Sequence, residues 1–115
     1  MHGSQRLTYA QVARRVAGLA TGLCQAGLQF TDRVGIYLEP SVPQVVSIFG
    51  VSQAGGAYVP INHQLFPEQV AHIMKDCSMT ALITTRARLA ALTPVLADAP
   101  SLKFLVVVAD GEASA

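Results

Sequence analysis

The sequence predicts an α/β fold, in which helices cover both faces of an all-parallel β-sheet to give a single three-layer domain. Segments with helical periodicity alternate with short β-prone runs in the order α-β-α-β-α-β-α-β, and the loops between them are short. The stretch 52–62 (SQAGGAYVPIN) ends a long apolar segment at Gly55 and Gly56, then enters a β-prone run that Pro60 closes. This is half of a helix-to-parallel-strand crossover. The pattern does not predict the strand order.

Length and composition exclude several classes of protein. A chain of 115 residues fits one domain, and 51% apolar residues supply a core, which excludes intrinsic disorder. A net charge of +1 argues against a nucleic-acid partner. No uninterrupted apolar run reaches the length of a transmembrane helix. The N-terminus lacks the pattern of a secretory signal, so we expect a cytoplasmic protein.

The domain is predicted to span residues 7–109, with 1–6 interpreted as a tail or cloning remnant and 110–115 as a frayed C-terminal tail. Its first helix should begin near Tyr9, because Thr8 and Gln11 match a capping box, and Gly27 should end it. The apolar face of this helix comprises Val12, Val16, Leu19, Ala20 and Leu23.

A strand is predicted over 34–38, since its lack of polar alternation is typical of a strand buried on both faces. Ser41 should cap a helix over 42–54 that is apolar on nearly every side. A neighbouring element, or a part of the protein outside this chain, must therefore cover its outer side. The strand 57–59 follows a turn in which we expect Gly56 to adopt a positive φ.

The second half repeats the alternation of helix and strand. Pro67 should open a third helix that buries Val70, Ile73, Met74 and Cys77. The remaining predictions are a strand over 80–84, a helix over 86–92 that Pro94 kinks or restarts before 99–100, and a strand over 103–108.

Cys24 and Cys77 lie far apart and are interpreted as small buried thiols in a reducing cytosol, with a disulfide as the alternative. Neither cysteine has metal-ligand spacing to His2, His63 or His72, so no metal site is predicted. His63 directly follows a strand, where ligands often approach an open sheet. An ordinary structural role is nevertheless the favoured interpretation of His63.

Asp32 and Glu39 flank the predicted strand 34–38 and prompt comparison with the acidic pocket of a response-regulator receiver. That pocket requires two adjacent acids and a later lysine, which this sequence does not place there. Both side chains are therefore interpreted as solvated.

Three segments resemble signatures of the AMP-forming acyl-CoA synthetase and adenylation-domain superfamily. Residues 7–12 (LTYAQV) resemble its LTYxEL opening, and 54–62 (AGGAYVPIN) resemble its KAGxAYVPxN/D segment. Residues 60–84 resemble the continuation found in acyl-CoA ligases; peptide-synthetase adenylation domains usually carry aspartate at the position of Asn62. A fourth segment, 31–41 (TDRVGIYLEPS), resembles the GDRVAIYLPNS strand of the family. Three positions depart from the family pattern, namely Thr31 in place of the usual glycine, Glu39 in place of a small or apolar residue, and His63 in place of proline.

The resemblance covers roughly residues 7–108 and implies the N-terminal subdomain of a ligase. Such an enzyme uses ATP, Mg²⁺ and coenzyme A to convert a carboxylic acid, such as a fatty acid, into its acyl-CoA through an acyl-adenylate. The resemblance also implies ATP binding by a Ser/Thr/Gly-rich loop ending in lysine, which this sequence lacks: 84–86 has no glycine, and 55–56 has no hydroxyl or lysine. We therefore predict no catalytic, cofactor-binding or metal-binding residue in this chain, and expect it to be inactive alone.

The expected partners are the remaining subdomains of the ligase. The apolar helix 42–54 and the strand 103–108, a candidate uncovered sheet edge, also predict self-association of the isolated chain. Two alternatives stay open. The chain could be a fragment of a peptide-synthetase adenylation domain that loads a carrier protein, or a free-standing small α/β binding module.

Overall fold

A computed structural model describes residues 8–99 and 101–108, leaving aside the side chains of 97 and 98; the predicted tails at 1–6 and 110–115 lie outside this range. Its elements are α1 (Tyr9–Gln25), β1 (Arg33–Tyr37), α2 (Val42–Gln53), β2 (Ala57–Pro60), α3 (Pro67–Asp76), β3 (Ala81–Thr85), α4 (Arg86–Leu92), a 3₁₀ helix (Thr93–Asp98) and β4 (Phe104–Val108). No helix in the described part of the chain is both long and apolar enough to cross a bilayer. The predicted order of elements is confirmed.

The four strands are all parallel and form one sheet in the order β2-β1-β3-β4. One hydrophobic cluster joins α1 and α2 to one sheet face through Leu23, Val51 and Ile83. A second cluster joins α3 and α4 to the opposite face through Met74, Leu82 and Leu92. The predicted three-layer α/β architecture is therefore confirmed, because helices cover both faces of a parallel sheet.

The predicted signals set the ends of α1. The Thr8 hydroxyl accepts a hydrogen bond from the Gln11 amide (3.1 Å), and the Gln11 side chain accepts one from the Thr8 amide (2.9 Å). Beyond the last turn, Gly27 has a φ of 103°, in the left-handed region that glycine adopts with little strain. The capping box and the glycine stop are both confirmed.

Helix α2 is covered on two sides, by the sheet and by α1. The Ser41 hydroxyl caps its first turn, and Gly50 leaves the space that Leu19 of α1 occupies. Val45 and Phe49 remain 43% and 57% exposed on its outer side. The covering element expected from the sequence is therefore α1, which leaves a small apolar surface open; self-association through this surface stays a prediction.

The turn between α2 and β2 uses its two glycines differently from our expectation. The positive φ lies at Gly55 (89°) and not at Gly56, so that prediction is wrong. Gly56 is needed for space: a Cβ there would lie 3.0 Å from Val51 Cγ1, 3.1 Å from Leu28 Cδ2 and 3.2 Å from the Asp32 carbonyl oxygen. A side chain at Gly56 would therefore be tight against α2 and the start of β1, and these neighbours would have to shift by a few tenths of an ångström.

We expect Gly56→Val to destabilise the fold by roughly 1–3 kcal/mol, because the added side chain overpacks this contact. The matched control is Gly22→Val, since a Cβ at Gly22 meets no atom within 4 Å. Urea denaturation of both variants measures the effect. Equal midpoints for the two variants would show that the close approach at Gly56 does not limit stability.

Thr31 is a β-branched residue with a positive φ of 67°, and it stands where the resembling family usually has glycine. We expect Thr31→Gly to stabilise the fold by about 1 kcal/mol, since glycine relieves the left-handed strain. Glycine also keeps the hydrogen bond that the amide of residue 31 donates to the Gly55 carbonyl oxygen (2.7 Å). Thr21→Gly, at an exposed position within α1, should instead lower stability. If thermal unfolding shows Tm shifting in the same direction for both variants, the positive φ of Thr31 does not strain the fold.

Candidate functional site

The carboxyl ends of β1 and β3 border the point at which the chain changes direction across the sheet. From β1 the chain passes through α2 to β2, and from β3 it passes through α4 to β4 on the opposite side of the sheet. Because α2 and α4 leave toward opposite faces, residues 38–41 and 85–88 flank this switch point. Ligands of open α/β sheets bind at such a topological switch point.

One guanidinium connects the segments that surround this switch point. Arg88 Nη1 donates to the His63 carbonyl oxygen at 2.7 Å, and Nη2 lies 3.2 Å from Glu39 Oε1. The Arg88 Cζ atom lies 4.9 Å from the centroid of the Tyr37 ring, within cation–π distance. The loops after β1 and β2 therefore meet a single side chain from the first turn of α4, and that side chain is 21% exposed. We call this set of contacts the Arg88 clamp.

Local sequence explains how Arg88 reaches this position. The Thr85 hydroxyl caps α4 by accepting from the Arg88 amide at 3.3 Å, which fixes the first turn of that helix at the end of β3. The Tyr37 hydroxyl donates to the Leu65 carbonyl oxygen at 2.7 Å, and the Thr84 hydroxyl donates to the Tyr37 carbonyl oxygen at 3.0 Å. Tyr37 and Arg88 thus hold the β2–α3 loop at two points.

The contacts of the Arg88 clamp position the loops that carry Glu39 and His63. The Arg88 guanidinium can bind an anion, yet its donors already contact the Glu39 carboxylate and the His63 carbonyl oxygen. The described residues contain no group of three or more His, Cys, Asp and Glu side chains that could hold a metal ion. They also provide no glycine-rich phosphate cradle at this edge. The described residues at this edge therefore give no basis for placing Mg²⁺ or the phosphates of ATP there.

The structure separates the side chains that the sequence singled out. Asp32 lies before β1, where its carboxylate accepts from the Gln29 amide at 2.8 Å, whereas Glu39 lies beyond the opposite end of that strand. His63 contributes its carbonyl oxygen to the Arg88 clamp. His72 pairs with Asp76 at 3.1 Å on the exposed side of α3. His2 lies outside the described residues.

The cysteines depart from their predicted burial. Cys24 is exposed, with its thiol 3.8 Å from the Ala54 carbonyl oxygen, because the apolar stripe of α1 turns the neighbouring Leu23 inward. Cys77 is partly buried against the cluster beneath α3. Both thiols are free and lie against opposite layers, so the disulfide alternative is wrong.

Sequence reasoning missed Arg88 altogether. A local signal does exist, because an arginine in the first turn after a buried strand lies at the carboxyl edge of a parallel sheet. Its partners cannot be found locally, since Glu39 and the His63 carbonyl oxygen come from other loops.

Comparison with known proteins gives a consistent set of relatives. The model of the family described as AMP-binding enzyme matches residues 1–115. A feruloyl-CoA synthase of Amycolatopsis sp is 42% identical over 85 residues, covering 73% of this chain and 17% of that protein. A medium/long-chain-fatty-acid–CoA/3-oxocholest-4-en-26-oate–CoA ligase of Mycobacterium tuberculosis is 30% identical over 109 residues, covering 95% and 20% respectively.

A further relative and a solved structure are also similar to this chain. Syringomycin synthase SyrB1 of Pseudomonas syringae is 37% identical over 86 residues, which are 75% of this chain and 14% of that protein. The crystal structure of the anthranilate CoA ligase AuaEII in complex with anthranoyl-AMP superposes with a TM-score of 0.86 at 27% identity, covering 92% of this chain and 20% of that one. The chain thus spans about a fifth or less of the length of these relatives.

We expect Arg88→Ala to lower the free energy of unfolding by roughly 1–3 kcal/mol, because it removes a charged hydrogen bond and the contact with Tyr37. Arg86→Ala is the matched control, since Arg86 is exposed in the same helix turn. Glu39→Gln should cost less than about 1 kcal/mol, because Glu39 is 66% exposed. A loss in Arg88→Ala no larger than in Arg86→Ala, measured by urea denaturation, would show that the clamp does not hold the loops.

Proposed function

Since the chain belongs to the AMP-binding enzyme family, we propose that it forms the N-terminal α/β subdomain of an AMP-forming acyl-CoA ligase. The 42% identity to a feruloyl-CoA synthase is the observation that carries this proposal. Asn62 supports it further, because the resembling acyl-CoA ligases carry asparagine at this position.

The reaction proposed for the whole enzyme has two steps. A carboxylate oxygen attacks the α-phosphate of Mg-ATP, forming the acyl-adenylate and releasing pyrophosphate. The thiol of coenzyme A then attacks the acyl carbonyl, forming the thioester and releasing AMP. We assign neither step to a residue of this chain, because its described residues contain no cradle for phosphate or metal.

The contribution proposed for this chain is a fixed wall beside the site. Arg88 and Tyr37 hold the β2–α3 loop, and Arg88 also contacts Glu39 in the β1–α2 loop. Catalysis of phosphoryl transfer depends mainly on positioning and electrostatic stabilisation. A rigid carboxyl edge serves the first of these requirements. We also propose a cytoplasmic location, where free thiols such as Cys24 and Cys77 stay reduced.

A second candidate is an adenylation domain that transfers its acyl group to a carrier protein. The 37% identity to syringomycin synthase SyrB1 favours this function. Asn62 argues for the ligase, since peptide-synthetase adenylation domains usually carry aspartate there. The reading frame after Ala115 separates the two candidates, because a carrier domain encoded downstream would support the second.

We expect the purified 115-residue chain to catalyse no ATP–pyrophosphate exchange with fatty acids or ferulate. The whole enzyme is tested with a chimera, in which this chain replaces the aligned segment of the Mycobacterium tuberculosis ligase. The folded chimera should catalyse exchange with a medium-chain fatty acid above the background of a heat-denatured sample. Exchange by the chain alone would refute its assignment as a non-catalytic subdomain, and a folded but inactive chimera would contradict the proposed function.

A further inference from the structure

The two hydrogen bonds of the Arg88 guanidinium are not equally firm. Nη1 donates to the His63 carbonyl oxygen, a backbone group, at 2.7 Å. Nη2 lies 3.2 Å from Glu39 Oε1, which is longer than the roughly 2.7–2.9 Å of a strong hydrogen bond between an N–H cation and a carboxylate. The Glu39 side chain is 66% exposed, and ion pairs of exposed carboxylates contribute little stability. The contact with Glu39 is therefore the one that a ligand can replace.

The guanidinium is held in place by contacts that do not involve Glu39. Its Cζ atom lies 4.9 Å from the centroid of the Tyr37 ring, a residue only 4% exposed. The Tyr37 hydroxyl is itself fixed, because it donates to the Leu65 carbonyl oxygen at 2.7 Å. Together with the bond to the His63 carbonyl oxygen, these contacts orient the guanidinium in advance. If Glu39 leaves, Nη2 stays in position and can donate to another acceptor.

The Glu39 side chain can leave without disturbing its own backbone. The Glu39 carbonyl oxygen accepts from the Ser41 hydroxyl at 2.8 Å. The same hydroxyl accepts from the Gln44 amide at 3.3 Å and so caps α2. These bonds fix the backbone that carries Glu39 at the start of α2. Rotation about the side-chain bonds of Glu39 is therefore enough to release Nη2 of Arg88.

We propose that Arg88 binds the carboxylate of a small organic acid, and that Glu39 occupies this site as an internal competitor until the acid displaces it. Glu39 Oε1 marks the position that a ligand oxygen takes. A guanidinium matches the geometry of a carboxylate, and ligands of open α/β sheets bind at a switch point such as this one. The inference goes beyond the proposed function and does not depend on it, since it concerns only groups of this chain.

Charge favours a carboxylate over a phosphate at this site. A carboxylate carries one negative charge, which the single positive charge of Arg88 balances, whereas a phosphate carries a larger charge at neutral pH. Arg86 is exposed in the same turn of α4, but side chains two positions apart on a helix do not face each other. The described residues also provide no glycine-rich cradle at this edge. Glu39 itself shows that a carboxylate oxygen can reach Nη2.

A titration of the 115-residue chain with sodium acetate tests the proposal, with ionic strength held constant by sodium chloride. The ¹⁵N resonances of the Arg88 side chain should shift to saturation. In Glu39→Gln we expect the half-saturating acetate concentration to be about two- to fivefold lower, because the competing charge is removed. Glu68→Gln is the matched control, since it removes an exposed carboxylate from the first turn of α3, and it should leave that concentration unchanged.

Two further readouts report the displacement itself. The ¹³C resonance of the Glu39 carboxyl should shift with the same half-saturation as Arg88, because one acid replaces the other. The Gln64 and Leu65 amides should keep their hydrogen-exchange rates, since Arg88 stays bonded to the His63 carbonyl oxygen. Acetate that accelerates exchange of these two amides would show that the whole clamp opens, which overturns the proposal.

The remaining outcomes also decide against it. Equal half-saturation in the unmodified chain and in Glu39→Gln overturns the role of Glu39 as a competitor. Shifts that sodium chloride alone reproduces show charge screening without binding. Sodium phosphate that saturates Arg88 at a lower concentration than acetate overturns the assignment to a carboxylate. None of these outcomes depends on whether the chimera catalyses ATP–pyrophosphate exchange, so the proposed function stands or falls separately.

Discussion

Three backbone hydrogen bonds at the end of α2 set the geometry on which the rest of the sheet depends. The Gly56 amide donates to the Val51 carbonyl oxygen at 2.9 Å, and the Ala57 amide donates to the Asp32 carbonyl oxygen at 2.8 Å. The Thr31 amide donates to the Gly55 carbonyl oxygen at 2.7 Å. They place the start of β2 beside the start of β1, so the two strands must run parallel. The helix between them then has to pack along one face of the sheet. Space for this arrangement exists because Gly56 presents no side chain to Leu28.

Most elements could be predicted because their ends have local causes. Hydroxyl caps, the prolines and Gly27 define helix ends to within one residue, and unbroken apolar runs define the buried strands. The strand order β2-β1-β3-β4 has no local cause, since it depends on which face each crossover takes. The roles of Gly55 and Gly56 were exchanged in our prediction, because a glycine pair does not reveal which residue needs the left-handed region and which needs space.

The candidate site was less predictable than the fold for the same reason. The Arg88 clamp joins Arg88 of α4 to the His63 carbonyl oxygen and the Glu39 carboxylate, which lie in two loops 25 and 49 residues away in sequence. Neither hydrophobic periodicity nor residue spacing in the sequence predicts that these groups come into contact. The resemblance of 54–62 to a ligase signature indicated the family correctly. The glycine pair, the β-prone run and Pro60 by themselves indicated only a helix-to-strand crossover. At one of the departing positions the structure explains the glycine that is usual in the family and not the threonine, since Thr31 has a φ of 67°, in the region that glycine prefers.

The surfaces of the subdomain divide into a rigid polar edge and open apolar regions, and this division bears on its proposed role. At the carboxyl edge, Arg88 and Tyr37 satisfy polar groups within the chain itself and hold the loops in place. At β4 and along the outer side of α2, apolar side chains remain partly exposed. Only 13% of the residues are charged. A free-standing domain with so few charges would be prone to association. In a ligase, the open apolar regions can be buried by the remainder of the chain while the rigid edge keeps its shape. Substitutions at the edge would then alter activity through geometry, and substitutions at β4 would alter it through assembly.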